Sequence, residues 1–371
     1  MKINSIRTFL LIAGLVTILF ACKKMEDQLA PKTVSLVLPQ TPYDYSHFDF
    51  GGVDVFVVGI NNDVATLGRV LFYDTHLSIN NTVSCGSCHK QSIAFSDNVT
   101  FSSGFENHKT LRNTLPIQNL SNIGSFISGP TSLFWDGRAT FLPSMVLMPI
   151  TNHVEMGMSN INSIVDKVKS LSYYDDLFFK AFRTNQIDAT KVSAALSSFV
   201  SSIFSGNTRF DRSNKNQTEL NGLEHEGRLL FFNKYNCNSC HQTEQLNGYQ
   251  IGGGFVNIGL EENYVDKGLQ NVTNAPTDNG KFKIPSLRNI ALTAPYMHDG
   301  RFSTLNAVID HYSHGIANSS ALDPRLKSAN GQPMRMNISE HEKTALLAFL
   351  NTLTDFSMIT DIKYSNPFKA Q

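Results

Sequence analysis

The sequence predicts a mainly α-helical protein built from two tandem, related modules. Three observations support this fold class: two cysteine–histidine motifs of identical spacing, residue patterns that recur after each motif, and apolar stripes with the period of a helix. The 371 residues are 41% apolar and 10% aromatic, which is enough for ordinary cores. Because 31 basic and 31 acidic side chains cancel and no basic cluster occurs, nucleic acid is not expected as a partner.

The N-terminus has the pattern of an export signal. Lys2 and Arg7 precede an uncharged apolar run, Thr8–Ala21, which is short for a membrane-spanning helix. The run ends in Leu-Phe-Ala-Cys, which resembles the lipidation site of bacterial lipoproteins, so residues 1–22 form the expected signal and Cys22 the lipid-bearing residue. An uncleaved anchor is the alternative. The polar, proline-containing residues 23–47 predict a tether.

Four further cysteines form two identical motifs, Cys85-Gly-Ser-Cys88-His89 and Cys237-Asn-Ser-Cys240-His241. Both read C-x-x-C-H, the spacing at which two thiols form thioethers to the vinyl groups of one haem while the next histidine faces the iron. Disulfides, a redox pair and a zinc site of four thiolates are alternatives, but none of them requires two matched histidines. We therefore predict two covalently bound c-type haems, with His89 and His241 as proximal iron ligands.

An internal repeat accompanies the two motifs. Similar helical segments, Leu67–Tyr73 and Glu226–Phe232, precede them. Two further patterns recur downstream in the same order: Leu111–Asn113 as Leu287–Asn289, and Trp135–Arg138 as His298–Arg301. The repeat predicts two tandem cytochrome c-like haem domains with loops of unequal length.

Helical patterns elsewhere support the class. Apolar residues of Ile161–Leu171 fall on one helical face, and Asp188 has the position of an N-cap before another apolar stripe. Ser339 and Glu342 form a predicted capping box. The run Val53–Ile60 is the single stretch that alternates as a strand does.

The domain boundary is expected in a polar stretch, residues 207–218, which holds few apolar side chains. This places the N-terminal haem domain at residues 48–212. The C-terminal haem domain then covers residues 213–371.

The two modules differ in one segment, Asn152–Gly157, which follows the Trp135 pattern and has no counterpart in the second module. An electron carrier saturates both irons with protein ligands, whereas a catalyst that reacts with peroxide keeps one iron face open. A distal carboxylate such as Glu155 could transfer a proton between the two peroxide oxygens, and burial would favour this by raising its pKa. A surface glutamate beside a core methionine is the alternative.

These motifs, their order and their spacing resemble the bacterial di-haem cytochrome c peroxidases and the MauG-type methylamine-utilisation enzymes, over about residues 60–355. The resemblance implies that the first haem reacts with hydrogen peroxide and that the second receives electrons from a small cytochrome or cupredoxin. It also implies that Trp135 lies between the haems, that Glu155 is the catalytic glutamate and that Met156 is its neighbour.

The resemblance further implies one calcium ion between the haems. Its ligands would be the side chain of Asn113 and the backbone carbonyls of Thr293 and Pro295, oxygen donors of the kind that calcium prefers. A homodimer is compatible with the resemblance.

The first haem departs from the peroxidase pattern. Many of these peroxidases have a removable histidine ligand sixteen positions after the proximal one, and here that position is Phe105. His108 is a substitute by proximity, with a surface histidine as the alternative. We expect a first haem that is five-coordinate or water-bound in the oxidised state. Two further changes, Met145 for a distal glutamine and His153 for a proline, alter the distal hydrogen bonding.

The second haem also departs from the pattern. The position of its usual methionine ligand falls on Tyr312, which resembles the tyrosine ligand of the MauG-type branch. Tyrosinate is a hard anionic donor that stabilises ferric iron. Met297 is the second candidate ligand, and simple packing is the alternative role of Tyr312.

The sequence thus predicts a di-haem peroxidase that is lipid-anchored in the periplasm and reduces hydrogen peroxide to water. Two alternatives remain. The first is a MauG-like oxidase that acts on a protein or organic substrate, as Tyr312 and Phe105 would favour. The second is a non-enzymatic electron carrier with two six-coordinate irons.

Overall fold

The computed structural model describes residues 35–57, 59–120, 132–241 and 254–368. The predicted export signal with Cys22 lies outside the described residues, and so does the first part of the predicted tether. Among the described residues, no helix is both long enough and apolar enough to cross a lipid bilayer.

Helices dominate the described residues, which confirms the mainly α-helical fold. The α-helices are Asn62–Tyr73, Cys85–Cys88, Leu142–Met145, Met148–Thr151, Ile161–Ser170, Tyr173–Phe182, Ala189–Ser202, Arg209–Asn214, Gly222–Leu229, Gln270–Thr273, Leu305–Asp310, Glu340–Asn351 and Phe356–Thr360. Wider π turns, Leu230–Lys234 and His311–Gly315, continue two of them. The described residues between 38 and 367 form one compact unit.

Strands form two short antiparallel ladders. Val53–Phe56 pairs with His47–Phe50, so the alternating run does contain a strand, although a shorter one than Val53–Ile60. The second ladder joins Phe255–Val256 to Phe282–Lys283. This ladder forms part of the wall of a cavity described below.

The predicted helix starts are confirmed. The Asp188 carboxylate accepts the backbone N–H of Lys191 at 2.9 Å, which satisfies a donor that the first helical turn leaves open. Ser339 and Glu342 form the predicted reciprocal capping box. In the helix Ile161–Ser170, the predicted apolar face is the buried one.

Both modules are built on the same close helix crossing. A Cβ at Gly68 would lie 1.9 Å from the carbonyl oxygen of Ala195. A Cβ at Gly227 would lie 1.9 Å from the carbonyl oxygen of Ala345. Each glycine lies on the helix before a haem motif, and each carbonyl lies on the last long helix of its module. Only glycine lets the two backbones approach so closely, so the repeat reflects one packing solution used twice.

Matching aromatic cores lie beside the two crossings. In the first module the rings of Phe72 and Phe199 have centroids 5.2 Å apart. In the second, Phe231 and Phe349 are 5.3 Å apart at the equivalent positions. These buried rings anchor the helix that leads into each haem motif.

The segments that begin at Trp135 and His298 are equivalent loops, as the repeat predicts. Gly137 and Gly300 occupy matching positions with φ of 71° and 64°. One antiparallel bridge closes each loop: Leu133 with Ala139, and Tyr296 with Phe302.

The recurrence of Leu-Arg-Asn, in contrast, does not mark equivalent positions, and this part of the predicted repeat is wrong. The backbone N–H of Asn289 donates to Leu353, just after the last long helix, at 2.9 Å. Asn119 makes the same bond to Ile203 at 2.9 Å, and both asparagines have positive φ, 60° and 56°. Asn113 instead donates its backbone N–H to the second module. A three-residue match is too short to specify a fold position.

The predicted boundary stretch 207–218 contains a helix, Arg209–Asn214, that packs on the second module. Phe210 joins the aromatic core of that module. Asp211 accepts two hydrogen bonds from the Arg288 guanidinium, both at 2.7 Å, and both side chains are buried. The polar sequence of this stretch therefore includes a buried ion pair.

The residues after the last long helix return to the first module. The Tyr364 hydroxyl donates to the carbonyl of Ser202 at 2.6 Å, and the Arg69 guanidinium donates to the carbonyl of Ser365 at 2.6 Å. The domain bounds 48–212 and 213–371 stay a prediction, since chain segments from both sides of residue 212 pack on both modules.

Candidate haem sites

The first motif presents its histidine in a fixed orientation. Cys85 and Cys88 occupy the ends of one helical turn, and His89 follows as its C-cap. The His89 Nδ1 lies 2.9 Å from the carbonyl oxygen of Phe95, so Nδ1 carries the proton and Nε2 is left as the metal-binding atom. Burial lowers the pKa of His89, which favours the neutral ring that binds iron.

The second motif repeats this arrangement. The His241 Nδ1 lies 3.2 Å from the carbonyl oxygen of Pro285, and burial lowers the pKa of His241 to about 4. A metal-binding histidine that bonds a backbone carbonyl through its other nitrogen is the usual arrangement at a metal centre. Both histidines therefore have the properties of axial ligands.

Among the described residues, the four cysteines of the two motifs form no disulfide. Burial raises the pKa of the Cys85 and Cys237 thiols to about 12. Within the described ranges no three His, Cys, Asp or Glu side chains converge on a metal-sized site. Neutral thiols beside an oriented histidine suit thioether formation.

A cavity of about 590 Å³ adjoins the second motif. This volume lies in the range of cofactor sites. Its lining is mainly apolar and includes Cys237, Cys240 and His241 together with the predicted residues Trp135, Met297 and Tyr312. The donor set, the apolar wall and the volume fit a haem.

Several side chains in this cavity are candidates for the sixth ligand of the second iron. Tyr312 lies on the π turn that follows the helix Leu305–Asp310, and burial raises the pKa of its hydroxyl, with a smaller effect of the neighbouring thiols. Met297 also lines the cavity. Two further methionines, Met334 and Met336, also line it and were not predicted from the sequence. The sequence feature that could have identified them is a pair of methionines shortly before the last long helix, because the methionine thioether is a soft iron ligand.

Trp135 connects the two modules. Its indole Nε1 donates to the carbonyl oxygen of Asn113 at 2.8 Å. Its own carbonyl accepts the backbone N–H of Lys283, in the second module, at 2.8 Å. These two bonds hold the indole in the wall of the second cavity.

The three predicted calcium ligands, Asn113, Thr293 and Pro295, all belong to the lining of this cavity. The Asn113 amide nitrogen donates to the carbonyls of Val99 and Thr100 at 3.1 and 3.3 Å, which identifies Oδ1 as its oxygen donor for a cation.

Glu155 belongs to the first site. Its carboxylate accepts a hydrogen bond from the Asn152 side chain at 3.1 Å, a contact that was not predicted from the sequence. Burial raises the pKa of Glu155, although the Arg138 guanidinium acts in the opposite direction. The charge of Glu155 in turn helps to raise the pKa of Cys85 and Cys88, which indicates that it lies near this thiol pair.

Met156 is buried and holds the Glu155 loop in place. Its backbone N–H donates to the carbonyl of Pro149 at 3.2 Å, and its own carbonyl accepts the backbone N–H of Ile79 at 2.9 Å. Its side chain is 3% exposed, which fits a packing role beside the carboxylate.

Phe105 packs directly on the Glu155 loop. Its backbone N–H donates to the carbonyl of Glu155 at 2.9 Å. A Cβ at Gly104 would lie 1.7 Å from the carbonyl oxygen of Val154, so this approach requires glycine. His108 is exposed and packs edge-on against the Phe105 ring at 5.4 Å, which fits the surface alternative.

Comparison with known proteins identifies the family. The family model for di-haem cytochrome c peroxidase matches residues 62–219. The methylamine utilization protein MauG of Methylorubrum extorquens is 36% identical over 77% of this chain and 77% of its own length. The cytochrome c551 peroxidase of Nitrosomonas europaea is 31% identical over 79% of this chain and 80% of its own.

A solved structure agrees with these relatives. A MauG-like protein associated with microbial copper homeostasis has a TM-score of 0.72 and 35% identity, over 83% of this chain and 94% of that one. Relatives in the family are named both as peroxidases and as MauG proteins. The chain belongs to the di-haem cytochrome c peroxidase and MauG family of oxidoreductases.

Proposed function

We propose that this protein reduces hydrogen peroxide to water at the His89 haem, with two electrons from a small cytochrome or cupredoxin. Two electrons and two protons convert one peroxide into two waters. The observation that carries the proposal is Glu155, a half-buried carboxyl group with a raised pKa beside the first thiol pair. The second module has no equivalent segment, so the proton-transferring group is present on one side only.

The residues of each motif would hold one haem covalently. Cys85 and Cys88 would form the first pair of thioethers, and Cys237 and Cys240 the second. When bound, a haem iron supplies a peroxide-binding site and one-electron chemistry. The remaining roles fall to the protein chain.

Glu155 accepts the proton from the near oxygen of peroxide and returns it to the far oxygen, so that the leaving group departs as water. Asn152 holds one carboxylate oxygen in place through its side-chain N–H. Phe105 packs on the Glu155 loop and its ring has no ligand atom, so this side chain would not compete with peroxide for a haem iron bound at His89.

Electrons enter through the second site. Trp135 lies in the wall of that cavity, and its hydrogen bonds tie it to a segment from each module. We propose that electrons pass between the two haems through Trp135. We also propose that Asn113, Thr293 and Pro295 bind the calcium ion beside it.

A second candidate function is the oxidation of a protein or organic substrate by the same first site. Tyr312 in the second cavity and the 36% identity to the MauG of Methylorubrum extorquens favour it. Steady-state consumption of peroxide with reduced cytochrome c separates the two. Rapid turnover supports the peroxidase, whereas negligible turnover favours the oxidase.

A spectrum of the purified oxidised protein tests the cofactor proposal. We expect two irons and one calcium per chain by metal analysis, one high-spin ferric signal, and a tyrosinate-to-iron band that Tyr312→Phe removes. Tyr264→Phe is the control, since its hydroxyl accepts the backbone N–H of Leu260 at 2.7 Å. Two low-spin irons would support the electron carrier, and an unchanged band in Tyr312→Phe would favour a methionine ligand.

We also propose that Cys22 carries lipid and anchors the protein to a bacterial membrane facing the periplasm. In Cys22→Ser we expect the protein to leave the membrane fraction. The variant carries no lipid, and each lipid methylene group buried in the bilayer contributes about 0.8 kcal/mol to membrane binding. Fractionation of intact cells measures this, with Lys24→Ser as the control. Retention of Cys22→Ser in the membrane fraction would indicate an uncleaved anchor.

A further inference from the structure

Asp74 is a buried carboxylate that the proposed peroxide chemistry does not use. It is 1% exposed and directly follows Tyr73, the last residue of the helix before the first haem motif. One of its oxygens accepts the hydroxyls of Tyr173 and Tyr174, at 2.6 and 2.7 Å. The other lies 2.7 Å from Nδ1 of His76.

The cluster adjoins the helix that packs on the first haem motif and includes partly exposed side chains. The Tyr73 ring packs on Gly86, between the two haem-binding cysteines, where an added Cβ would lie 2.4 Å from the ring. The rings of Tyr173 and Tyr174 have centroids 4.7 Å apart. Tyr174 is fully buried, whereas Tyr173 is half-buried and the side chain of His76 is 34% exposed.

The two tyrosines have a proton acceptor that other buried tyrosines of this module lack. Tyr45, Tyr73 and Tyr364 donate their hydroxyls to backbone carbonyls, which do not take up a proton. Tyr173 and Tyr174 donate to a carboxylate, which does.

Proton transfer matters here because these phenols are neutral. Burial raises the pKa of both Tyr173 and Tyr174 above the ordinary value, and the charge of Asp74 acts in the same direction. A neutral phenol that loses an electron must also lose its proton. A hydrogen-bonded carboxylate in a buried network is placed to accept it.

We propose that Tyr173, Tyr174 and Asp74 form a one-electron relay between the first haem site and a surface site for phenolic reductants. Tyr174 gives one electron to the peroxide-oxidised site and its phenolic proton to Asp74. The resulting radical passes to Tyr173. A phenol at the surface restores the electron, and Asp74 returns its proton to the tyrosine. The phenol becomes a phenoxyl radical by releasing its own proton to solvent, and solvent supplies the two protons that complete the two waters at the first haem site. One peroxide thereby oxidises two phenols. The relay rests on the proposed reaction of peroxide at the His89 haem.

Freeze-quench paramagnetic resonance tests the relay on the full-length, haem-loaded protein. One equivalent of hydrogen peroxide is added without any electron donor. We expect a tyrosyl radical in the native protein and at least a tenfold smaller signal in the double variant Tyr173→Phe and Tyr174→Phe. Tyr45→Phe is the matched control and should keep the signal. An unchanged signal in the double variant, or its loss in Tyr45→Phe, would overturn the relay.

Asp74→Asn tests the proton acceptor separately. Asparagine keeps an oxygen for the two hydroxyls but does not take up a proton, so we expect the radical yield to fall at least tenfold at unchanged haem content. Because Asp74 also caps the turn Thr75–Leu77, loss of haem in this variant would mean misfolding, and the double tyrosine variant would then decide.

The same samples distinguish failure of the relay from failure of the proposed function. Loss of the high-spin ferric signal on peroxide addition reports the haem reaction. If that signal disappears without a tyrosyl radical, the relay alone is wrong. If peroxide leaves it unchanged, the proposed function and the relay both fail. Oxidation of dextran-coupled tyramine, too large to enter a haem pocket, should fall at least tenfold in Tyr173→Phe, and an unchanged rate would place phenol oxidation elsewhere.

Discussion

Replacing Glu155 with glutamine is expected to lower peroxide turnover by about 10²–10⁴-fold, the usual contribution of a positioned acid–base group. Glutamine keeps the shape of the side chain and accepts the Asn152 hydrogen bond, but it does not transfer a proton. Steady-state peroxide reduction with reduced cytochrome c measures the effect, and the absorption spectrum checks that both haems are present.

The control for this variant is Glu106→Gln, on an exposed part of the neighbouring Phe105–Asn107 turn. Turnover in the native protein should fall as the pH drops through the raised pKa of Glu155, because the protonated carboxyl does not accept the peroxide proton. This fall in turnover at low pH should be absent from the pH profile of Glu155→Gln. Unchanged turnover in Glu155→Gln would remove the acid–base assignment.

Replacing Arg288 with methionine is expected to lower the free energy of unfolding by about 3–5 kcal/mol, the typical cost of removing one partner of a buried ion pair. The side chains of Arg288 and Asp211 are 8% and 3% exposed. In the variant the Asp211 carboxylate would stay buried, and among the described residues the backbone N–H and hydroxyl of Thr208 would remain as its donors. Urea unfolding of the haem-loaded protein measures the loss.

An exposed ion pair provides the comparison. Lys180 and Asp176 are 2.7 Å apart with side chains that are 56% and 70% exposed. Lys180→Met should change the free energy of unfolding by less than about 1 kcal/mol, since solvent screens such a pair. If both substitutions changed the free energy of unfolding equally, burial would not strengthen the contribution of the Arg288–Asp211 pair to stability.

The haem sites were predictable because their chemistry depends on local spacing. A thioether pair and an adjacent axial histidine need residues that are neighbours in sequence, so the two motifs identified both sites. The caps at Asp188 and Ser339 are local in the same way, and the structure confirms them.

Contacts between distant segments were not predictable. The role of Asn119 depends on a bond to Ile203, and no local pattern distinguishes it from Asn113. Met334 and Met336 line the second cavity because the loop that carries them runs along it. Asp74 meets Tyr174 only because two helices pack side by side.

The sequence by itself determined the helical class, the duplication, the two C-x-x-C-H motifs and the membership of this oxidoreductase family, since each rests on residues close together in the chain. The tertiary structure decided which side chains share a cavity, where the buried ion pair joins the modules and which tyrosines have a carboxylate as acceptor. The physical reason is that packing brings together residues 77 to 100 positions apart, and local periodicity carries no information about such pairs.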